Sequence, residues 1–442
     1  MLKVVRFPTR AYEDKGFYSE LADFMPLLMT LGILYPCAAM LSFVVQEKEL
    51  RQKELLKMMG VLEYELGLSW FFSFCTLHIF TATFLTLITM PVFENSEPIY
   101  LFFFWQLCFL AFIVLSLLIG TLVSKTTRGV LIGLLVIFAG YFFTQIESVE
   151  DGRASIITLI SIHPVAAMSY ALQEIGRLED LGLGLRADSI TSTDAPSGYT
   201  FSDAYSNLIL STVVLGISTW YLNRVIKPDY GRAFPLYFPF TKGYWCPNST
   251  RKVDDSEAIV STPDESIPIE PVSDSMKQKA TEGKNIEIRN LRKDFGEKVA
   301  VDGLNLSIYN NQITALLGKN GAGKTTTIGM LTGVLQPSEG TAIVAGKDIR
   351  TDMRQIRGNI GICLQHDCLF PKLTVREHVE FFSRLKGLYT SSSSVEAEAH
   401  IVQAIRDVAL EEKSNTYSCN LSGGMKRKLS LALAFCGGSE VV

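Results

Sequence analysis

Six stretches of the chain run without a single Asp, Glu, Lys or Arg: residues 26–45, 66–92, 98–124, 129–146, 154–173 and 204–223. Each is at least 18 residues long. A helix rises about 1.5 Å per residue and the hydrocarbon layer of a bilayer is about 30 Å thick, so runs near 20 residues have the length that crosses it. Helices of soluble proteins carry a charge on their solvent face every few residues. These runs do not, which makes six buried helices of a soluble protein the poorer reading.

Basic residues between the runs set the orientation, because short cytoplasmic loops hold the excess of Lys and Arg. The first connector carries Lys48, Arg51, Lys53 and Lys57, the third carries Lys125 and Arg128, and Arg224 and Lys227 follow the last run. The second connector holds Glu94 and Glu97 and no base. If all six runs crossed, the basic segment after the last would fall outside, so one run does not cross. The run with His163-Pro164 at its middle, with Ser155, Ser161 and Ser169, and beside Glu147, Glu150 and Asp151, is the weakest. It reads as a re-entrant or interfacial hairpin on the outer side, over 154–175.

The expected transmembrane domain is therefore 25–227, with five spans near 25–45, 67–91, 100–124, 129–147 and 204–226. An amphipathic cytoplasmic helix is expected over 46–60. There, Leu50, Leu55, Leu56, Met58 and Met59 form an apolar side against Glu47, Lys48, Glu49, Arg51, Lys53, Glu54 and Lys57. Five crossings with an inner C-terminal part place Met1 outside, so residues 1–24 read as an extracytoplasmic lead-in. They contain neither an apolar signal core nor a span. The economical expectation is an upstream segment with at least one further span; the alternative is that the first run inserts as a signal anchor.

A linker over 228–284, with STPDESIPIEPVSDS at its centre, should be an extended, solvated tether. A second domain, 285–442, begins with NIEI as a short strand. Residues 299–308 alternate as another strand, and 312–317 (QITALL) form an apolar strand running into glycine. The fold class expected is a multi-span α-helical membrane domain followed by an α/β phosphate-loop domain.

Composition narrows the chemistry. With 48% hydrophobic, 11% aromatic and only 19% charged residues, an ordinary soluble globule and a disordered chain are both poor fits. A net charge of -4 and no basic tail argue against nucleic acid as a partner. Eight cysteines without a CxxC pair argue against a disulfide framework or a zinc site and read as reduced structural thiols.

The glycine after the apolar strand opens Gly318-Lys319-Asn320-Gly321-Ala322-Gly323-Lys324-Thr325, a full GxxxxGK[ST] phosphate loop, followed by a helix expected over 325–335. Glycines let consecutive backbone N–H groups point at phosphates, and the helix N-terminus adds partial positive charge. Lys324 should reach the β and γ phosphates, Thr325 should ligate Mg²⁺, and Thr326 should hydrogen-bond alongside. ATP and Mg²⁺ are therefore the expected cofactors. Farther on, Asn420-Leu421-Ser422-Gly423-Gly424-Met425 precedes an apolar helical stretch, so Ser422, Gly423 and Gly424 make a second anion-binding helix start.

Together these motifs resemble the ATP-binding-cassette transporters. GKNGAGKTTTIGMLTGVLQPSEGTAIVAGKDIR, LTVREHVEFFSRLKG, LSGGMKRKLSLALAF and the run EKELRQKELLKMMG are similar to the A subfamily, over nearly the whole chain. The resemblance implies that Phe295 stacks on adenine and that Gln365 bridges Mg²⁺ and the membrane domain, joining Lys324 as a catalytic group and Thr325 as a metal ligand. It implies that Ser422, Gly423 and Gly424 cover the γ-phosphate held by a second transmembrane and nucleotide-binding half, in cis or trans. It also implies that the helix over 46–60 docks beside Gln365 rather than lying on headgroups, and that the substrate is a membrane lipid moved by ATP hydrolysis. His78 and His163 read as satisfied helix residues rather than substrate ligands. The alternative is an ATP-binding membrane regulator that does not pump; a soluble NTPase is disfavoured by the charge-free runs.

Cassette ATPases need an apolar strand ending in Asp then Glu, the Walker B motif, followed later by a histidine switch. Val441 and Val442 look like the start of that strand, and Glu440 precedes it and so is no substitute. The expectation is a domain truncated before Walker B that binds ATP but does not turn it over by itself.

Overall fold

The computed structural model describes residues 17–145, 154–191, 198–226, 234–245, 285–387, 394–439 and 441–442. The first 16 residues, most of the linker, and Glu440 lie outside the described residues. Contacts divide the chain into two compact units, residues 1–49 with 64–226, and residues 50–63 with 227–442.

Among the described residues eight helices precede the linker: α1 (Phe17–Glu49), α2 (Gln52–Met58), α3 (Glu63–Thr89), α4 (Pro98–Leu122), α5 (Thr126–Thr144), α6 (Ala154–Ile160), α7 (Pro164–Asp180) and α8 (Phe201–Val225). Five of them, α1 from Phe24 onwards, α3, α4, α5 and α8, are long and apolar enough to cross a membrane. In hydrocarbon a helix is the natural solution for a single segment, because it pairs every interior N–H and C=O within itself. The centre of the first unit is α4, 61% buried over its apolar window where the other four reach 33% or less. Leu101, Phe104, Trp105, Ala111, Phe112 and Ile113 of α4 are almost completely enclosed. By contrast α3 turns Phe72, Leu77, Phe80 and Phe84 outward. Such a surface is stable in lipid and costly in water.

The sixth charge-free run divides at His163-Pro164 into α6 and α7, helices of 7 and 17 residues. Pro164 opens α7 at a position where its missing N–H is no loss, and the His163 ring accepts from the Val165 amide at 3.3 Å. The first turns of α7, Val165, Ala166, Ala167 and Met168, are buried in protein. Near its end Glu179, 2% exposed, accepts from the Asn95 amide (3.1 Å), Asn95 Nδ2 (3.0 Å) and Ser96 Oγ (2.5 Å), locking the loop between α3 and α4. The expectation that His78 and His163 are satisfied is not met in full: among the described residues neither ring nitrogen of His78 and not Nε2 of His163 has a hydrogen-bond partner, and the His78 ring stacks flat on Phe109 at 4.5 Å.

The amphipathic segment is not one helix over 46–60. Residues 46–49 continue α1, and the chain turns at Arg51, in the left-handed region at φ 56°, before α2 starts. After the break α2 belongs to the second unit.

That unit continues with a 3-10 turn (Phe238–Phe240) and α9 (Lys242–Trp245), then β1 (Ile286–Phe295), β2 (Lys298–Ile308) and α10 (Lys324–Leu331). After these come β3 (Glu339–Val344), β4 (Lys347–Asp348), α11 (Met353–Asn359), α12 (Val375–Leu385), α13 (Ser394–Asp407) and α14 (Gly423–Phe435). The strands form an antiparallel sheet in the order β2-β1-β3-β4, with Ile286 opposite Ile308 on one side and Val344 on the other. Its inner face, Ile288, Leu291, Ala342 and Val344, packs on Met330 of α10 and Ile356 of α11. Beside it α12, α13 and α14 pack together through Val379, Phe382, Ile401, Ile405, Leu429 and Leu433. A capping box between Thr374 and Glu377 starts α12.

The strand expected over 312–317 is not formed: among the described residues the segment pairs with no strand, and Ile313 and Leu317 are exposed. A strand exists only through its hydrogen-bonded neighbours, and apolar pattern alone does not supply them. A parallel bridge does form between Ile360 and Val441, where the Gly361 amide donates to Val441 O at 2.7 Å. Gly361 is forced by close approach: a Cβ there would lie 1.8 Å from the carbonyl oxygen of Ala434 in α14. Gly361→Ala should therefore destabilise the second unit by about 1–3 kcal/mol. Scanning calorimetry of the purified protein should show its transition at lower temperature; an unmoved transition would contradict the packing described.

Candidate nucleotide site and the seat of α2

Before α10 the chain curls through Gly321 and Gly323, at φ +86° and +84°. A side chain at Gly323 would also meet Ala300 O at 2.6 Å and Val301 Cγ2 at 3.0 Å on β2. Glycine is thus required there by both conformation and space. The first amides of α10 have no acceptor inside the helix, so their N–H groups and the helix dipole are available to an anion. Lys324, the first residue of α10, folds its ammonium over the loop and donates to Gly318 O at 2.5 Å and Lys319 O at 2.8 Å. Thr325 is exposed and Thr326 half-buried, while Thr327 turns inward and bonds Gly323 O at 3.1 Å. Asn320 and Ala322 lie on the exposed rim of the loop. This donor set fits a polyphosphate.

The far end of α10 is held by Arg357, whose Nε and Nη2 donate to Thr332 O (3.3 Å) and Gly333 O (3.0 Å). Burial lowers the Arg357 pKa, yet a guanidinium stays charged and suits a helix C-terminus. The helix stops at Leu331, just ahead of Gly333 at φ +73°, rather than at 335 as expected. Phe295 ends β1, 48% exposed, opposite Lys298 of β2. The β2 strand of the same hairpin backs Gly323 at Ala300 and Val301. Lys293 Nζ stands 5.5 Å from the ring centroid of Phe295.

Gln365 is exposed, in a segment fastened from several sides. Gln52 of α2, 4% exposed, donates from Nε2 to Leu369 O at 2.7 Å. Arg427 of α14 donates from Nη1 to Leu364 O, and Ser430 Oγ lies 3.3 Å from Asp367 Oδ1. The Phe370 amide donates to His378 Nε2 at 2.9 Å. Around the seat of α2, the Cys368 thiol is pushed up to about 11, by burial first and then by the Glu54 carboxylate, so it stays protonated and unreactive. At the other end of α2, Glu63 pairs with Lys57 (2.7 Å) and Lys53 (3.3 Å).

Ser422 caps α14, its hydroxyl accepting from the Met425 amide at 3.4 Å. Added Cβ atoms at Gly423 and Gly424 would meet nothing within 4 Å. No hydrogen bond links these residues to the phosphate loop among the described residues. The chain thus sets Gly323 of the phosphate loop against β2 of the hairpin whose β1 ends in Phe295, and the segment of Gln365 against α14, while Ser422, Gly423 and Gly424 are exposed. Gln52, Arg357, His378 and Arg427 were not singled out from sequence. Their roles rest on contacts with carbonyls and amides far along the chain, and a Gln in a charged run or an Arg in a basic one carries no local signal of such a contact.

Comparison with known proteins assigns the fold to a lineage. The family described as ABC-2 family transporter protein matches residues 5–221, and the family described as ABC transporter matches residues 301–442. The chain belongs to the ATP-binding-cassette transporters. Over 99% of its length it is 34% identical to the retinal-specific phospholipid-transporting ATPase ABCA4 of Mus musculus, covering 19% of that protein. It is 34% identical to the human phospholipid-transporting ATPase ABCA3, over 99% of the chain and 26% of that protein. It is 32% identical to the human glucosylceramide transporter ABCA12, over 100% of the chain and 18% of that protein. This cassette chain therefore spans between about a fifth and a quarter of the curated relatives it matches, and the relatives are members of the A subfamily.

In this cassette chain His378 is the titrating group next to the seat of α2. It is fully buried and Nδ1 lies 2.8 Å from Thr374 O, a carbonyl that can only accept, so the proton sits on Nδ1 and Nε2 takes the Phe370 amide. Burial lowers its pKa, the Thr374 carbonyl and Glu377 opposing. With the folded value below the unfolded value of about 6.5, the unfolded chain takes up the proton first as pH falls. Stability contributed here is thus complete above about pH 6.5 and is lost from there downward until the folded value is passed. His378→Gln, which keeps an acceptor without titrating, should flatten this part of the stability profile below about pH 6.5. An unchanged profile in that variant would remove His378 as its source.

Proposed function

We propose that this chain is the core of one half of an ATP-driven lipid translocator. The observation that carries the reading is α2. This short helix lies in sequence between two helices able to span a membrane, yet it packs in the nucleotide unit with Gln52 on the carbonyl of Leu369, four residues after Gln365. A rigid element continuous with spanning helices and seated beside the nucleotide site is what mechanical coupling requires. The names of the relatives, two phospholipid transporters and a glucosylceramide transporter, supply the substrate class.

In this reading residues 25–227 form the membrane domain, with five spans and an outer hairpin of α6 and α7. Residues 228–284 are the linker and 285–442 belong to the nucleotide-binding domain. The basic connectors at Lys48–Lys57, Lys125–Arg128 and Arg224–Lys227 support a cytoplasmic position for that domain. Phe295 stacks on adenine. The amides of Gly318, Asn320, Gly321, Ala322 and Gly323, with those opening α10, cradle the phosphates. Lys324 leaves its loop carbonyls for the β and γ oxygens and stabilises charge there. Thr325 and Gln365 would hold Mg²⁺, with Thr326 bonding alongside. The bound magnesium nucleotide supplies the phosphoryl bond whose cleavage drives the cycle.

Gly423 and Gly424 support a role toward a second half. A glycine in a helix costs about 0.5–1 kcal/mol relative to alanine, and among the described residues nothing approaches either one within 4 Å of an added Cβ. Their smallness serves a ligand arriving from outside, and with Ser422 they form the helix start that closes on the γ-phosphate held by the second half, in cis or trans.

Full-length protein reconstituted in phosphatidylcholine liposomes should move labelled phospholipid in the presence of Mg-ATP, and Lys324→Ala should cut that movement at least about 100-fold. ATP-gated ion current without lipid movement would replace the pump by a regulator.

A further inference from the structure

The segment from Leu364 to Phe370 is held by three elements at once. From α2, Gln52 bonds Leu369 O at 2.7 Å. From α14, Arg427 bonds Leu364 O and Ser430 reaches Asp367 at 3.3 Å. From α12, His378 accepts the Phe370 amide at 2.9 Å. A second observation joins the first two directly: one small cleft is lined by Leu55 of α2, by Leu364, Cys368 and Leu369, and by Ser430 and Leu433 of α14. The seat of α2 is thus built partly from the helix that Ser422 caps, five residues before Arg427 in sequence.

We propose that Arg427 is a positioning residue that ties the start of α14 to the backbone next to Gln365, so that the seating of α2 on Leu369 sets where Ser422, Gly423 and Gly424 stand. The physical basis is the carbonyl at each end of the segment. A buried Gln52 amide without Leu369 O loses its partner at a cost, and a shift at Leu369 reaches Leu364 through a short stretch of chain whose middle residue, Asp367, is itself held by Ser430 of α14. Arg427 suits this task because its planar guanidinium reaches a carbonyl while staying on a polar surface. Substrate-driven movement of α2 would thereby reposition the signature of its own half before that half meets nucleotide held by the other. This rests on the translocator reading above, but adds a connection within one nucleotide unit that the phosphate loop does not take part in.

The test is a double-mutant cycle on the full-length protein in phosphatidylcholine liposomes containing labelled phosphatidylethanolamine, with ATP turnover as readout. Arg427→Ala should lower kcat about 10-fold and shift KM for ATP less than about 3-fold, because nucleotide is held mainly elsewhere. Gln52→Leu should do the same, and the double variant should fall no more than about 3-fold below the worse single one, as expected of groups acting through one element. Arg427→Lys, which retains a donor, should recover most of the loss. Two independent effects that multiply to about 100-fold would overturn the proposal, as would a Lys variant as slow as the Ala variant.

Amide hydrogen exchange gives a second reading that needs no turnover. Residues 422–427 should exchange about 10-fold faster in Gln52→Leu as well as in Arg427→Ala. Unaltered exchange there in Gln52→Leu overturns the link even if the wild type pumps. Faster exchange in a protein that moves no lipid leaves the link standing and removes the translocator instead.

Discussion

A backbone N–H or C=O removed from water must find a partner, and this demand shapes both units of the chain. In the first unit it is met within each helix, which is why five long apolar segments can stand in lipid with aromatic side chains turned outward. In the second unit the same demand is left open on purpose at two places, the start of α10 and the start of α14. Amides without internal acceptors are what an anionic ligand binds.

Between these extremes lies the segment from Leu364 to Phe370. It is neither helix nor strand, so its polar groups are satisfied one at a time by side chains from elsewhere: Gln52, Arg427, His378. Such a segment holds its shape only while its partners stay in place. That property is a weakness in a purely structural loop and a use in a loop carrying Gln365, since any element that moves can be felt there. The left-handed turn at Arg51 has the same character, a local cost accepted where α1 gives way to α2.

Much of the site was legible before any coordinates. The phosphate loop is a local object: its glycines, lysine and following helix are consecutive, and the backbone conformation they demand is encoded by the residues that adopt it. The signature at Ser422 is local for the same reason. The spans were legible because lipid imposes a length and excludes charge, conditions a single segment meets or fails on its own. His163-Pro164 marked the break between α6 and α7 through the fixed backbone of proline. Less legible was the strand expected at 312–317, whose apolar pattern is correct while its pairing depends on partners the pattern does not contain. His78 was read as satisfied and is instead stacked on Phe109.

What the amino-acid sequence by itself determined is whatever is settled within one turn of helix or one loop: the apolar spans, the curled phosphate cradle, the capped start of α14. What only the tertiary structure decided is who meets whom across hundreds of residues. Gln52 and Leu369 lie 317 positions apart, and Arg427 reaches back 63 to Leu364. A hydrogen bond specifies an angle and a distance rather than a residue type, so a carbonyl that could belong to any residue leaves no mark on the sequence that supplies it.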